Sequence, residues 1–234
     1  MLIAGFPADA FGTNCYVVAP GPGEECVVVD PGIGVVPRLE ETLREHRLKP
    51  VAVLLTHGHL DHTFSVTPVC GARGVPAYIH PEDRELLSRP ELALSAESWR
   101  MLGANLTMSE PDDVRELADG EAVKLAGLEI TVDHAPGHTR GSVMFRLPAP
   151  PQATEVSQVL LSGDVLFAGS IGRTDLPGGD YQQMLHSLAT KVLPLADTTL
   201  VLPGHGGQTT VGAERATNPY LAEARPEHGP HRGM

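Results

Sequence analysis

The stretch "VAVLLTHGHLDHTFS", Val51 to Ser65, decides how the rest of the chain is read. An apolar, β-branched run ends at Leu55, and His57, His59, Asp61 and His62 follow within six residues. A solvated loop has no need of three imidazoles, and a core has no room for them unless something binds them. In an extended segment His57 and His59, two apart, point to the same side and converge on one ion. Asp61 and His62 follow after the chain has begun to turn, so they face a neighbouring point. Four ligating groups in so short an arc overfill one tetrahedral ion, and two adjacent metals are the economical explanation.

Further ligands must then arrive from other strand ends, and three candidates do. "LEITVDHAPGHT" ends a strand pattern and presents His138, "VLLSGDVLF" presents Asp164, and "TLVLPGHG" presents His205 between two glycines. Five imidazoles and two carboxylates suit zinc, iron or manganese and are too rich in nitrogen for calcium or magnesium. Asp30, in "VVVDPG", reads equally as a carboxylate that orients ligand imidazoles and as a turn-initiating residue. Thr56 and Asn14 read either as supports of the site or as a strand cap and a turn residue. His134 lies four before His138 and reads as packing beside the site rather than as a ligand. His46, His80, His186, His228 and His231 are given no ligand role.

Composition sets the limits around this cluster. The chain has 234 residues, 41% of them hydrophobic, which is ample for a sizeable core; aromatics are scarce at 4%, so that core rests on Val, Leu, Ile and Ala. A net charge of −12, with no visible Lys/Arg cluster, disfavours a nucleic-acid partner on electrostatic grounds. No signal peptide and no membrane-spanning run is visible, and Cys15, Cys26 and Cys70 sit scattered in apolar contexts as buried free thiols. The expected compartment is the cytoplasm.

Short β-branched runs recur at 15–19, 26–30, 51–55, 128–133, 142–147, 158–162 and 199–203, each bounded by Gly, Pro or Asp. Helical patterns cover 36–47, 67–73, 81–87 and 181–192. The mixture predicts an α/β (α+β) fold of two mixed sheets covered by helices, not a purely parallel doubly wound sheet. The Pro-rich 147–157 reads as a loop. Residues 88–113 read as a helical flap or as helices packed on the core. Residues 1–224 read as one domain and 225–234 as a frayed tail.

The motif His57-x-His59-x-Asp61-His62, with His138, Asp164 and His205 at increasing distance, resembles the metallo-β-lactamase superfamily over nearly the whole chain. The resemblance implies a four-layer αββα sandwich. By that likeness His57, His59 and His138 hold one metal, Asp61, His62 and His205 hold a second, and Asp164 bridges them. It implies two divalent ions, zinc foremost with iron or manganese as alternatives, and a metal-bridging hydroxide that Asp61 also orients.

Within the superfamily, "SGDVLFAGSIGRTDLPGGD" and "LPGHGGQTTVGAERATNPYL" resemble the glyoxalase II and persulfide dioxygenase group, above all its short glyoxalase II-like (hydroxyacylglutathione hydrolase-like) members. That implies hydrolysis of a small-molecule thioester; the alternative is a mononuclear iron persulfide dioxygenase, which shares "GRTD" (172–175). Lactamases with the closest site usually carry Cys where Asp164 stands. Two features depart from full-length glyoxalase II. That enzyme carries a C-terminal helical domain, whereas 29 residues follow His205 here, and Arg173 and Asp175 stand where its motif offers Lys and Tyr to glutathione. Arg173 reads as a clamp for a substrate carboxylate or as the partner of Asp175 or Asp180 in a structural pair.

Overall fold

The computed structural model describes residues 1–102, 107–150 and 153–225. The first sheet takes its strands in chain order: β1 (Leu2–Pro7), β2 (Asn14–Ala19), β3 (Glu25–Val29), β4 (Lys49–Leu54), β5 (Ala77–Ile79) and β6 (Val114–Glu116). Pairing is antiparallel from β1 to β3 and parallel from β3 to β6. The second sheet comprises β7 (Ala122–Leu125), β8 (Leu128–His134), β9 (Val143–Pro148), β10 (Gln158–Gly163), β11 (Leu200–Pro203) and β12 (Thr209–Thr210). It is an antiparallel meander as far as β10, which then pairs parallel with β11.

Parallel neighbours need a crossover, and the helices supply it. Along the first sheet lie α1 (Val36–His46), α2 (Leu60–Thr63), α3 (Val66–Arg73), α4 (Pro81–Arg84) and α5 (Ala96–Leu102). Along the second lie α6 (Tyr181–Ser187), α7 (Val211–Thr217) and α8 (Pro219–Glu223). In α1 the buried Leu39, Thr42 and Leu43 fall at i, i+3, i+4, one apolar face toward the sheet. Arg47, left-handed at φ 54°, closes it by donating its N–H to the Leu43 and Arg44 carbonyls.

Three apolar layers result. Val17, Val28, Val53 and Ile79 face Leu39, Leu43, Val69 and Cys70 of the helices beside the first sheet. Val18, Val27, Val29 and Leu54 interdigitate with Ile130, Val132, Phe145 and Leu161 between the sheets. Met144, Leu160 and Val201 pack on Met184, Leu188, Val211 and Leu221. The central strands thus bury both faces by alternation, and the expected four-layer αββα sandwich is the fold observed. Cys15, Cys26 and Cys70 are free and buried, and burial pushes the Cys26 and Cys70 thiols up to about 12. No helix among the described residues is long and apolar enough to cross a membrane.

What positions the site is the shared edge where β3, β4, β10 and β11 end. There the sheets are joined by main-chain bonds: Val143 donates its N–H to Thr56 O (2.8 Å), and Asn14 to Gly204 O (2.7 Å). A register shift between Leu161 and Gly163 skips Ser162 in the pairing of β10 with β11 just before Asp164.

Candidate metal centre

The seven sequence-predicted ligands meet at that edge. His57 stands on the loop after β4, His59 precedes the first turn of α2, and Asp61 and His62 lie within that turn. His138 belongs to the β8–β9 connection, Asp164 follows β10, and His205 follows β11. Three sets converge, His57/His59/His138, His57/His62/Asp164 and Asp61/His62/His205, each with ligand atoms within 4.8 Å of one another. Asp164 spans the two halves: its Oδ1 lies 3.3 Å from His62 Nε2, and its Oδ2 lies 3.5 Å from His138 Nε2 and 3.6 Å from His205 Nε2. This approach requires glycine at 204, where a Cβ would stand 2.2 Å from Asp164 Oδ1 and 2.7 Å from His62 Cε1.

The surrounding hydrogen bonds decide which ring nitrogens are free. Asp30 turns off the end of β3 at φ 49° and accepts from the Thr56 N–H (2.8 Å) and hydroxyl (2.6 Å). Asp30 Oδ2 also accepts from His62 Nδ1 at 3.0 Å. With its proton given to Asp30, the Thr56 hydroxyl accepts from His57 Nδ1 at 3.1 Å. His138 Nδ1 donates to the Arg173 carbonyl at 2.7 Å. The network therefore puts a proton on Nδ1 of all three rings; against the opposing effect of burial, Asp164, Asp61 and Asp30 push the His62 imidazole well above its usual range, while His57 and His138 each keep an Nε2 lone pair aimed inward.

Those lone pairs face one another without a proton to share, His57 Nε2 standing 3.2 Å from His138 Nε2. His59 Nε2 and Asp164 Oδ1 are buried with no hydrogen-bond partner. Burial, reinforced by neighbouring imidazoles, holds His57 well below its usual range and His59 at about 3, so both rings are neutral ligands. Against the opposing effect of burial, His62 and hydrogen bonds from His205 and Thr13 hold the Asp61 carboxyl far below the usual carboxylate range. Burial raises Asp164 as well, and His62, His138 and His205 outweigh it. Buried acceptors without partners are costly, and cations supply what these lack. The His/Asp groups fit a dinuclear metal centre.

A cavity of about 430 Å³ opens over the cluster. His59, Asp61, His138, Asp164 and His205 form its floor, and Phe11, Leu60, Leu94, Phe167 and Leu176 its apolar wall.

A match to the metallo-β-lactamase superfamily covers residues 8–205, from just after β1 to the last histidine of the cluster. The chain belongs to that superfamily. Among its relatives, the hydroxyacylglutathione hydrolase GloC of Haemophilus influenzae is 35% identical over 215 residues, covering 92% of this chain and 95% of GloC. The solved BLEG-1 B3 metallo-β-lactamase is 38% identical with a TM-score of 0.80, covering 94% of this chain and 99% of that one. TTHA1623, solved in a di-iron-bound form, is 37% identical with a TM-score of 0.74, covering 93% and 100%.

The matched range contains all seven clustered residues, and the other residues weighed in the sequence lie around them. Asp30 and Thr56 hold ligand imidazoles as described. Asn14 donates to the Pro203 (3.0 Å) and Gly206 (2.9 Å) carbonyls, bracing the turn that carries His205. His134 stacks on His80 with ring centroids 3.9 Å apart and bonds the Arg140 carbonyl at 2.8 Å; it approaches the site only through that turn. Arg173 lines the cavity, but its guanidinium is engaged with Asp175 at 2.7 and 2.8 Å, while Asp180 caps α6. Its contribution to the cluster itself is the backbone carbonyl under His138.

Of residues 88–113, Leu94 reaches the cavity wall and Pro90–Ala93 forms a 3-10 turn whose ends are buried. Residues 103–106 lie outside the described residues, as does the expected frayed tail apart from Arg225. Two supports were missed from sequence: Thr13, whose hydroxyl donates to Asp61 Oδ2 at 2.8 Å, and Asp83. Neither stands in a motif.

Proposed function

We propose that this chain is a binuclear metal-dependent thioester hydrolase of the hydroxyacylglutathione hydrolase type. One observation carries the reading: Asp164 spans two ligand trios whose free nitrogens converge beneath an apolar-walled cavity. His57, His59 and His138 hold one ion, Asp61, His62 and His205 the other, and Asp164 stands between them. Zinc is the proposed metal, with iron supported by the di-iron-bound relative.

When bound, such a pair supplies a water that ionises near neutral pH and positive charge for the acyl oxygen. The chain's own residues do the rest. Asp61, fixed by Thr13, accepts a hydrogen bond from the attacking water and orients it. Water adds to the acyl carbon, the C–S bond breaks, and an acid and a thiol leave. Thiols ionise near pH 8–9, so departure needs little help from a general acid. A side-chain thiol nucleophile is not on offer, because all three cysteines are buried.

The cavity's volume falls within the ordinary range for small-molecule sites, roughly 300–1,000 Å³. Its wall receives the acyl and thiol carbon chains. Arg173, exposed beside it, exchanges Asp175 for a carboxylate on the thiol carrier. The substrate is a small molecule, the cytoplasm the proposed compartment, and residues 1–224 the proposed domain.

The BLEG-1 relative, named as a B3 metallo-β-lactamase at 38% identity, supports a second reading as a β-lactam hydrolase. The test uses protein of measured metal content, with lactoylglutathione, nitrocefin and glutathione persulfide side by side. Thiol release from lactoylglutathione without oxygen, lost in His59→Ala and Asp164→Asn, is the expected result. Nitrocefin turnover in its place establishes the second reading. Oxygen uptake with the persulfide, on one iron per chain, establishes a dioxygenase. Undiminished thioester turnover in His59→Ala of verified metal content rejects the assigned site.

A further inference from the structure

Asp83 lies in α4, after β5, and is not one of the seven clustered residues, yet it is a carboxylate only 1% exposed. Its Oδ2 accepts from the Gly58 N–H at 2.8 Å and from the Thr139 hydroxyl at 2.6 Å. Its Oδ1 accepts from the Gly141 N–H at 2.7 Å. Gly58 sits between His57 and His59 on the loop leaving the first sheet. Thr139 and Gly141 follow His138 on a turn of the second. One carboxylate thus fastens together the two loops that carry all three imidazoles of one trio.

The bonding is too complete for a packing position. Burying a carboxylate costs several kcal/mol unless its lone pairs are met, and three donors, two of them main-chain amides, meet these. The hydroxyl pair is extended by Ser142, whose Oγ accepts from the Thr139 N–H at 3.0 Å and lies 2.7 Å from Thr139 Oγ1. The approach is close enough to demand glycine at 141, where a Cβ would meet Asp83 Cγ at 2.7 Å. These three bonds go to Gly58, Thr139 and Gly141, and not to Asp61, His62 or His205.

We propose that Asp83 is a positioning residue that sets the separation of His57 and His59 from His138, and so the affinity of that trio alone for its ion. The proposal rests on the reading of the cluster as a metal centre. It makes the two positions separable: one depends on a fastener outside the ligand set, the other does not.

Asp83→Asn keeps the shape but accepts through one oxygen, so Gly58 or Gly141 loses its acceptor and faces an amide NH2. Cobalt affinities of both positions are measured by chelator competition, with the cobalt absorption spectrum reporting which position empties. Removal of a group that orients metal ligands costs about 10- to 100-fold in affinity, and that fall is expected at the His57/His59/His138 position, with the other held within about threefold. Thr139→Val is expected to fall in the same direction, and Thr139→Ser to keep the wild-type spectrum and affinity. Asp133→Asn, which removes a buried carboxylate paired with Arg146 on β8 and β9, lowers stability without changing either affinity.

Equal weakening of both positions in Asp83→Asn, or no weakening of either, overturns the proposal. A wild type that takes up no cobalt rejects the metal-centre reading by itself. Amide exchange in the metal-free protein then decides for Asp83: Gly58 and Gly141 must exchange faster together in the variant, and unchanged rates overturn its role as a fastener.

Discussion

The Thr56 hydroxyl joins two rings of the cluster: it donates to Asp30 and accepts from His57, while Asp30 also accepts from His62. Thr56→Val preserves volume and removes both bonds. It is expected to lower the unfolding free energy of the metal-free protein by about 1–3 kcal/mol, the cost of leaving buried polar groups unpaired. Zinc competition should show weakening at both positions, because His57 and Asp30 each lose a partner. Unaltered zinc affinity would mean that the ring tautomers are fixed without this hydroxyl. The ligands and Asp30 stood out in the sequence because they cluster locally or follow apolar runs, and Thr56 was open between a support of the site and a strand cap. Asp30 was open between turn former and imidazole holder, and it is both: a left-handed corner whose side chain reaches back to the site. Thr13 meets Asp61 across 48 positions of chain, and an isolated threonine carries no mark of such a contact.

At the level of elements, strands were legible where both faces are buried, because β-branched residues then run without interruption. The unmarked strands are shorter or lie toward sheet edges: β5 "AYI" and β6 "VRE" have three residues each, too few to show a period, and β1 is an edge strand with half-buried positions. The pattern over 181–192 reads as one helix, whereas the chain widens to a π-turn over Leu188–Val192, packing Leu188 and Val192 inward without a local cue. The β1–β2 connection shows what an element contributes beyond scaffolding. It carries Thr13 to Asp61 and holds Phe11, 58% exposed and left-handed at φ 62°, against the cavity. Strain in a non-glycine residue is retained where the surroundings fix it, and here it aims an aromatic ring at the substrate space. Phe11→Ala should raise KM several-fold, about 1 kcal/mol of lost apolar contact, with kcat nearly unchanged. Because the ring is mostly exposed, Tm should barely move. A fall in kcat at constant KM would place Phe11 in the chemical step instead of in binding.

Across the whole molecule, the two sheets contribute unequal shares of one site. The first supplies His57, His59, Asp61 and His62 from a single loop and turn; the second supplies His138, Asp164 and His205 from three connections. Each of the three sets of converging ligands pairs two residues of the first loop and turn with one from a later connection, and so crosses between the sheets. Ions bound here therefore fasten the halves of the sandwich at the edge where only a few main-chain bonds, such as Val143 to Thr56, already do so. Ligand binding to the folded state alone stabilises it by about 2.7 kcal/mol at a free concentration one hundred times Kd. For a chain of this size each kcal/mol is worth roughly 2–4 °C, so each ion should raise Tm by about 5–11 °C under those conditions. Scanning calorimetry of chelator-treated protein, with and without added zinc, measures this directly. Two resolved increments on titration match two ions bridging the sheets; a Tm indifferent to both chelator and zinc leaves the converging lone pairs without the cations they require.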